Sequence, residues 1–142
     1  MTELTTLLTL LDKAERGYTK ILNRHFSRAG FDLRREQYEL LQVLWEEDNV
    51  NQQTISSRLC KDKYNVTKLL NALQKRGYVR RKTGEDRRNN HVILTDKGNE
   101  SREALTRIEE QFHADLALTL PPAEIKAGAW VLKKLADALE SE

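Results

Sequence analysis

Apolar residues recur every three or four positions along most of this 142-residue chain, and that spacing predicts amphipathic helices. One run extends from Glu3 to about Ala29, and a second extends from about Leu33 to Glu47. Thr95 is suited to cap a further long helix that ends at Pro121, and Pro122 begins the last helix. The pattern therefore predicts a mainly helical chain with long helices at both ends.

Two shorter helices are predicted between residues 51 and 77. Asn51 and Asp62 are suited to cap them, because a short polar side chain can accept hydrogen bonds from the unpaired amides of a first helical turn. Gly77 is the kind of residue that follows a helix C-cap, so it predicts the end of the second helix.

The periodicity changes from helical to alternating after Gly77. Residues 78–82 and 91–94 are predicted strands of a hairpin, joined by a polar loop over 83–90. Arg87 and Arg88 lie at the tip of this loop, where an arginine could enter a narrow, electronegative minor groove of DNA. Asp86 is better suited to orient a neighbouring arginine than to face phosphate. A short helix, a turn, a second helix and a basic hairpin together form a winged helix-turn-helix.

The second of the short helices has two faces of different chemistry. One face is an apolar stripe that is predicted to be buried: Val66, Leu69, Leu70 and Leu73. The other face carries the predicted DNA-binding residues: Lys63, Tyr64, Asn65, Thr67, Lys68 and Asn71. Cationic side chains can bind phosphates or guanine, and side-chain amides can form hydrogen bonds with the edge of adenine. Hydroxyl or methyl groups can contact several bases.

Charge is distributed unevenly along the chain, although the formal net charge is only +2. The segment from Arg58 to His91 carries eleven Lys or Arg against three acidic residues, a net +8. The remainder has thirteen basic and nineteen acidic residues, a net −6. A basic segment in an acidic body favours nucleic-acid binding over a merely solvated surface, because it coincides with the predicted winged helix.

Other kinds of chemistry find little support in the sequence. No nucleophile motif and no glycine-rich phosphate loop is visible, so an enzyme or a cofactor is not expected. His25, His91 and His113 fall in three different elements, and no metal site is expected from them. The single cysteine, Cys60, is expected to be a small buried packing residue, with redox sensing as the alternative. No segment is apolar enough to cross a bilayer and no secretion signal is visible, which favours a cytoplasmic protein.

Three motifs at these separations resemble those of the MarR family of bacterial transcriptional regulators. They are the run from Leu73 to Arg81, then Asp86-Arg87-Arg88, and the run from Leu94 to Gly98. The resemblance covers the whole chain. It implies a winged helix-turn-helix in an otherwise helical body, a homodimer built from the first and last helices, and binding to pseudo-palindromic operators. It also implies that Asp86 and Arg88 fill the aspartate and arginine roles of the wing.

The domain prediction is one MarR-type domain over residues 1–142. Residues 1–30 and 99–142 are the dimerisation helices, and residues 33–98 are the DNA-binding lobe. The long helices outside the winged helix carry leucines that such a small domain cannot cover by itself, which independently predicts a homodimer. These are Leu4, Leu8, Leu11, Leu116, Leu120, Leu132, Leu135 and Leu139.

The expected function is a repressor that binds double-stranded DNA and is released by a small aromatic or anionic effector. Residues of the first two helices could line the effector pocket: Tyr18, Arg24, His25, Tyr38 and Trp45. Ordinary core packing is the alternative for the aromatic residues. The alternative function is a winged-helix module that holds a protein partner without reading DNA.

Overall fold

The computed structural model describes residues 2–83 and 90–141. The elements found there are α1 (Glu3–Arg28), α2 (Arg35–Glu46), β1 (Val50–Asn51), α3 (Gln52–Leu59), α4 (Lys63–Lys75), β2 (Val79–Thr83), β3 (Asn90–Leu94), α5 (Asp96–Glu100), α6 (Arg102–Ala117) and α7 (Pro122–Glu140). The chain forms two compact units, one up to Thr106 and the other from Arg107 onward. The first unit has the architecture predicted for a winged helix-turn-helix.

Side-chain caps fix where the short helices begin. Asn51 Oδ1 accepts a hydrogen bond from the Thr54 amide at 2.8 Å, and Asp62 Oδ1 accepts one from the Asn65 amide at 2.8 Å. At the other end of α4, Gly77 has a φ of +84°, and the next amide returns to the Leu73 carbonyl at 2.9 Å. This is the Schellman arrangement that glycine favours, so the predicted ends of α4 are confirmed.

The core of the first unit lies between α2, α3, α4 and the sheet. The predicted apolar stripe of α4 is buried, with Val66, Leu70 and Leu73 at 0% exposure and Leu69 at 9%. Other buried residues of this core, from α2, α3 and the sheet, are Leu40, Leu41, Leu44, Ile55, Val79 and Val92. This core holds α4 by one side and leaves its opposite side open to solvent.

The sheet has a third strand that the sequence pattern did not predict. β1 pairs antiparallel with β3, Val50 opposite Val92, and β3 pairs antiparallel with β2, giving the order β1-β3-β2. β1 is only two residues long, which is too short to produce an alternating pattern. It ties the residue before α3 to the base of the wing.

The long helix predicted from Thr95 is divided at Ser101. The Gly98 carbonyl, which a continuous helix would bond to the amide four residues later, accepts instead from Ser101 Oγ at 3.0 Å and Trp45 Nε1 at 3.0 Å. The prediction of a single uninterrupted helix was therefore wrong, because a tryptophan from α2 competes for its hydrogen-bonding group.

Candidate nucleic-acid interface

The accessible face of α4 is a stripe at positions i, i+3, i+4 and i+7: Tyr64, Thr67, Lys68 and Asn71. Tyr64 is 71% exposed, and the Lys68 ammonium lies 5.6 Å from the centre of its ring. Lys68 and Asn71 are also exposed, whereas Thr67 is half-buried. A phenol, a hydroxyl with a methyl, an ammonium and an amide are thus presented side by side on one rigid helix.

Lys63 and Asn65 lie at the edge of this stripe. Lys63 is exposed at the first position of α4. Asn65 is also exposed, but its Nδ2 donates to Asp62 Oδ2 at 3.2 Å while its backbone amide bonds the other carboxylate oxygen. The side-chain NH₂ of Asn65 therefore supports the helix cap. The side-chain carbonyl oxygen of Asn65 keeps all of its hydrogen-bonding capacity for a ligand.

Thr67 is a junction between three elements. Its hydroxyl donates to the Lys63 carbonyl at 2.8 Å and accepts from Gln52 Nε2, on α3, at 2.6 Å. A guanidinium nitrogen of Arg81, on β2, donates to the Thr67 carbonyl at 3.4 Å. Gln52 and Arg81 thus brace the exposed helix against its neighbours, a role that sequence analysis did not identify because the partners are fourteen or fifteen positions apart.

The predicted tip of the wing, with Asp86, Arg87 and Arg88, lies outside the described residues. The strands that lead to it are paired up to Thr83 and Asn90. Arg80 and Lys82 on β2 have exposed side chains, so the described part of the hairpin already carries positive charge.

The base of the wing is joined to the helices by a group of polar contacts. Arg76 bonds Asp32 Oδ2 and Gln37 Oε1, each at 3.0 Å. Lys97 donates to the Arg76 carbonyl at 2.7 Å, and its ammonium lies 4.5 Å from the centre of the Tyr78 ring. Burial raises the pKa of the Tyr78 phenol above its ordinary value, and the negative charge of Asp32 adds to the effect. These contacts fix the wing relative to α2 and α4.

The aromatic residues predicted for an effector pocket have different surroundings. Tyr38 is 1% exposed, and its ring packs against Phe26 and Trp45 at centroid distances of 5.0 and 5.8 Å. Trp45 is half-buried and donates to Gly98 as described above. Tyr18 has a different neighbour, because the guanidinium carbon of Arg35 lies over its ring, 4.5 Å from the ring centre. The structure therefore places Tyr38 in the core rather than on a pocket surface, because it fills the space between α1 and α2.

Arg24 lies in a different place, an open groove of about 650 Å³ along α1. The groove is lined by Glu15, Arg16, Thr19, Lys20, Asn23, Arg24, Ser27 and Arg34. His25 is half-buried on the same helix but does not line the groove. Four cations and one carboxylate give this groove a positive balance.

Cys60 is exposed, so the prediction that it is a buried packing residue was wrong. It occupies the turn between α3 and α4 in the left-handed region, with a φ of +52°, and its thiol lies 3.8 Å from the Ser57 carbonyl. Among residues 2–83 and 90–141, no three histidine, cysteine or acidic side chains are grouped closely enough to hold a metal ion.

The helices of the described ranges include none that is both long and apolar enough to span a membrane.

Comparison with known proteins shows which proteins this chain is similar to. Residues 33–89 match the model of the MarR family. The chain is 39% identical over 84 residues to the HTH-type transcriptional regulator TtmR of Methylorubrum extorquens, a match that covers 58% of this chain and 40% of TtmR. It is 37% identical over 82 residues to the HTH-type transcriptional regulator SarZ of Staphylococcus saprophyticus, covering 57% of this chain and 56% of SarZ. The matches thus span about half the length of these curated relatives.

Solved structures extend the likeness of fold over nearly the whole chain. A MarR transcriptional regulator from Methanosarcina mazei Go1 has a TM-score of 0.81 at 21% identity, covering 97% of this chain and 99% of the other. The S. aureus MepR–DNA complex has a TM-score of 0.83 at 22% identity, covering 92% and 96%. The fold is therefore a winged helix-turn-helix, as predicted. The segment 33–89 is similar to the MarR family, and the named relatives are transcriptional regulators.

Proposed function

We propose that this protein is a sequence-specific DNA-binding transcriptional regulator, which represses genes from a pseudo-palindromic operator. The observation that carries the proposal is the exposed stripe on α4, because its side chains can pair with base edges while the buried side holds the helix rigid. Relatives named as transcriptional regulators support it, as does the likeness to a protein solved with DNA. A protein that acts on bacterial genes belongs in the cytoplasm.

The proposed division of labour follows the sequence prediction. Residues 33–98 read DNA, with Lys63 and Asn65 beside the α4 stripe, Arg87 and Arg88 in the minor groove, and Asp86 orienting the wing arginines. Residues 1–30 and 99–142 join two copies into a homodimer. A symmetric dimer presents its two reading helices to successive major grooves when they stand about 34 to 36 Å apart, one turn of DNA.

Two substitutions on α4 test whether this face reads sequence. Asn71→Ala is expected to cost about 1 to 3 kcal/mol on the preferred duplex and to relax base preference, because an amide can pair with an adenine edge. Lys75→Ala, one turn further on, is expected to weaken all duplexes alike and to flatten the salt dependence, because a phosphate contact carries no sequence information. Mobility shifts with preferred and random duplex at two salt concentrations measure both effects.

Equal weakening of both duplexes by Asn71→Ala would overturn the assignment of the reading face. Absence of salt-dependent binding to any duplex would overturn the proposed function itself, and would favour a winged-helix module that holds a protein partner.

Release from DNA is proposed to depend on a small anionic effector that binds at α1 and α2. The effector would stabilise a conformation of the dimer whose reading helices no longer match successive major grooves. Arg24 and its neighbouring cations in the α1 groove are suited to a carboxylate. Tyr18 and His25 on α1 and Tyr38 and Trp45 on α2 are the residues whose surroundings are expected to respond to the ligand. If the ligand binds the DNA-free conformation more tightly than the DNA-bound conformation by about 2.7 kcal/mol, it lowers operator affinity a hundredfold.

Reciprocity provides the test of effector release. Trp45 fluorescence, measured in a Trp130→Phe background, is expected to respond to benzoate in free protein and to need a higher benzoate concentration when operator is saturating. The Arg24→Gln variant is expected to respond more weakly, whereas Arg107→Gln, on α6, serves as a charge-matched control. A ligand that strips the protein from DNA yet binds equally tightly with and without operator would contradict this mechanism.

A further inference from the structure

We propose that Thr67 selects thymine through contact between its methyl group and the thymine 5-methyl, and that Gln52 is the positioning residue that holds Thr67 in this orientation. The inference rests on the proposed function, since it names one base that the α4 stripe reads. It follows from which atoms of Thr67 are already committed within the protein.

The Thr67 hydroxyl has a single proton, and that proton is directed to the Lys63 carbonyl at 2.8 Å. The hydroxyl therefore has nothing to donate to guanine O6, thymine O4 or a purine N7. Its oxygen also accepts the short bond from Gln52 Nε2 at 2.6 Å, and a base amino group would have to compete with that bond. The methyl group is the part of this half-buried side chain with no polar commitment.

Gln52 fixes this orientation from outside the helix. Its Nε2 also lies 3.4 Å from the Lys63 carbonyl, so one amide group spans both ends of the Thr67 hydrogen bond. Rotation of Thr67 to offer its hydroxyl to DNA would break two hydrogen bonds at once, because its χ1 angle moves the hydroxyl and the methyl together. The contact between α3 and α4 thus decides which chemistry α4 presents at this position.

Thymine is the base that this methyl group matches. In the major groove only thymine displays a methyl group, and a threonine methyl is one of the side-chain groups that contact it. Tyr64 precedes Thr67 by one helical turn and Asn71 follows it by another. A thymine is therefore expected in each half-site, between the bases that these two residues contact.

Replacing thymine by uracil removes the 5-methyl group and leaves every hydrogen-bonding edge unchanged, which provides a direct test. A preferred duplex, obtained by selection from random DNA, is synthesised with uracil at one symmetric pair of thymine positions at a time. At one pair the wild-type protein is expected to lose about fourfold in affinity per half-site, the effect of burying one methyl group. At the other pairs it is expected to bind the two duplexes alike.

Three variants identify the residues responsible. Thr67→Ser keeps the hydroxyl and loses the methyl, so its thymine-to-uracil affinity ratio at that pair is expected to fall to about one. Gln52→Ala is expected to lower the ratio too, because Thr67 is no longer held. Gln53→Ala is the matched control, since Gln53 is the next residue of α3 and its side chain is exposed; its ratio is expected to stay at the wild-type value. Circular dichroism confirms that each variant is folded.

The outcomes separate this inference from the function on which it rests. A protein that selects no preferred duplex overturns the proposed function. A protein that selects one but tolerates uracil at every thymine pair overturns the reading by Thr67. A Thr67→Ser variant that keeps the wild-type ratio also overturns it, and an unchanged ratio in Gln52→Ala overturns the positioning role of Gln52.

Discussion

Replacing Leu8 by aspartate is expected to separate the protein into monomers and to lower operator affinity by about a hundredfold or more, because two linked reading helices gain that much over one. Leu8 is 41% exposed and belongs to an apolar stripe on α1 that the described residues leave largely uncovered. The exposed apolar side chains of this helix are Leu4, Leu7, Leu8, Leu10 and Leu11, and those of the second unit are Leu116, Leu118, Leu120, Ile125, Trp130, Val131, Leu132 and Leu139.

The exposed apolar side chains are concentrated at the two ends of the chain, and this is why Leu8→Asp is expected to disrupt the dimer. Of the large apolar side chains exposed among the described residues, only Tyr64 lies elsewhere. A helix such as α7, with no buried residue of its own, is expected to be stabilised by a partner. Obligate dimer interfaces bury on the order of 2,000 Å² or more, and each leucine covered there contributes roughly 2 kcal/mol. An aspartate buried without a counter-charge costs still more.

Sedimentation at micromolar concentration and mobility shifts with operator measure the two effects of Leu8→Asp. Thr6→Asp is the matched control, because Thr6 is exposed on nearly the opposite side of α1, and it is expected to remain dimeric and to bind DNA. A wild-type chain that sediments as a well-folded monomer would remove the basis of this prediction.

Replacing Gly98 by alanine is expected to destabilise the protein by about 3 kcal/mol, at the upper end of the usual cost of overpacking. An alanine Cβ at this position would lie 2.3 Å from the Tyr78 carbonyl oxygen and 3.0 Å from Leu94 Cδ2. The Tyr78 oxygen cannot move away cheaply, since it belongs to the backbone and accepts a hydrogen bond from the Thr95 amide at 3.1 Å. The joint between wing and α5 would therefore have to open.

Chemical denaturation at fixed protein concentration measures this loss. Gly17→Ala is the control, because Gly17 lies inside α1 with open space around its Cα. Alanine there is expected to stabilise the helix by roughly 0.5 to 1 kcal/mol. If the two variants changed the free energy of unfolding in the same direction and by similar amounts, Gly98 would not be required for the close packing against Tyr78 and Leu94.

The sequence by itself determined the features that depend on residues within one or two helical turns of each other. Asn51, Asp62 and Thr95 cap helices because each contacts an amide three residues later. The apolar stripe of α4 is buried because its spacing follows the helical repeat, and Gly77 ends that helix because it tolerates a positive φ. The three motifs that indicate the MarR family are likewise short runs, and they led to the correct fold.

The tertiary structure decided what depends on residues far apart in the chain. Trp45 meets Gly98 across 53 positions and divides a helix that periodicity had predicted to be continuous. Tyr38 enters the core and Cys60 stays outside it, because burial depends on the packing of whole elements rather than on residue type. Gln52 meets Thr67 across the turn between α3 and α4 and commits a hydroxyl that sequence analysis had left available to DNA. Side-chain type could therefore predict which helix reads DNA, but only the contacts around that helix determine which of its atoms are left for the proposed reading.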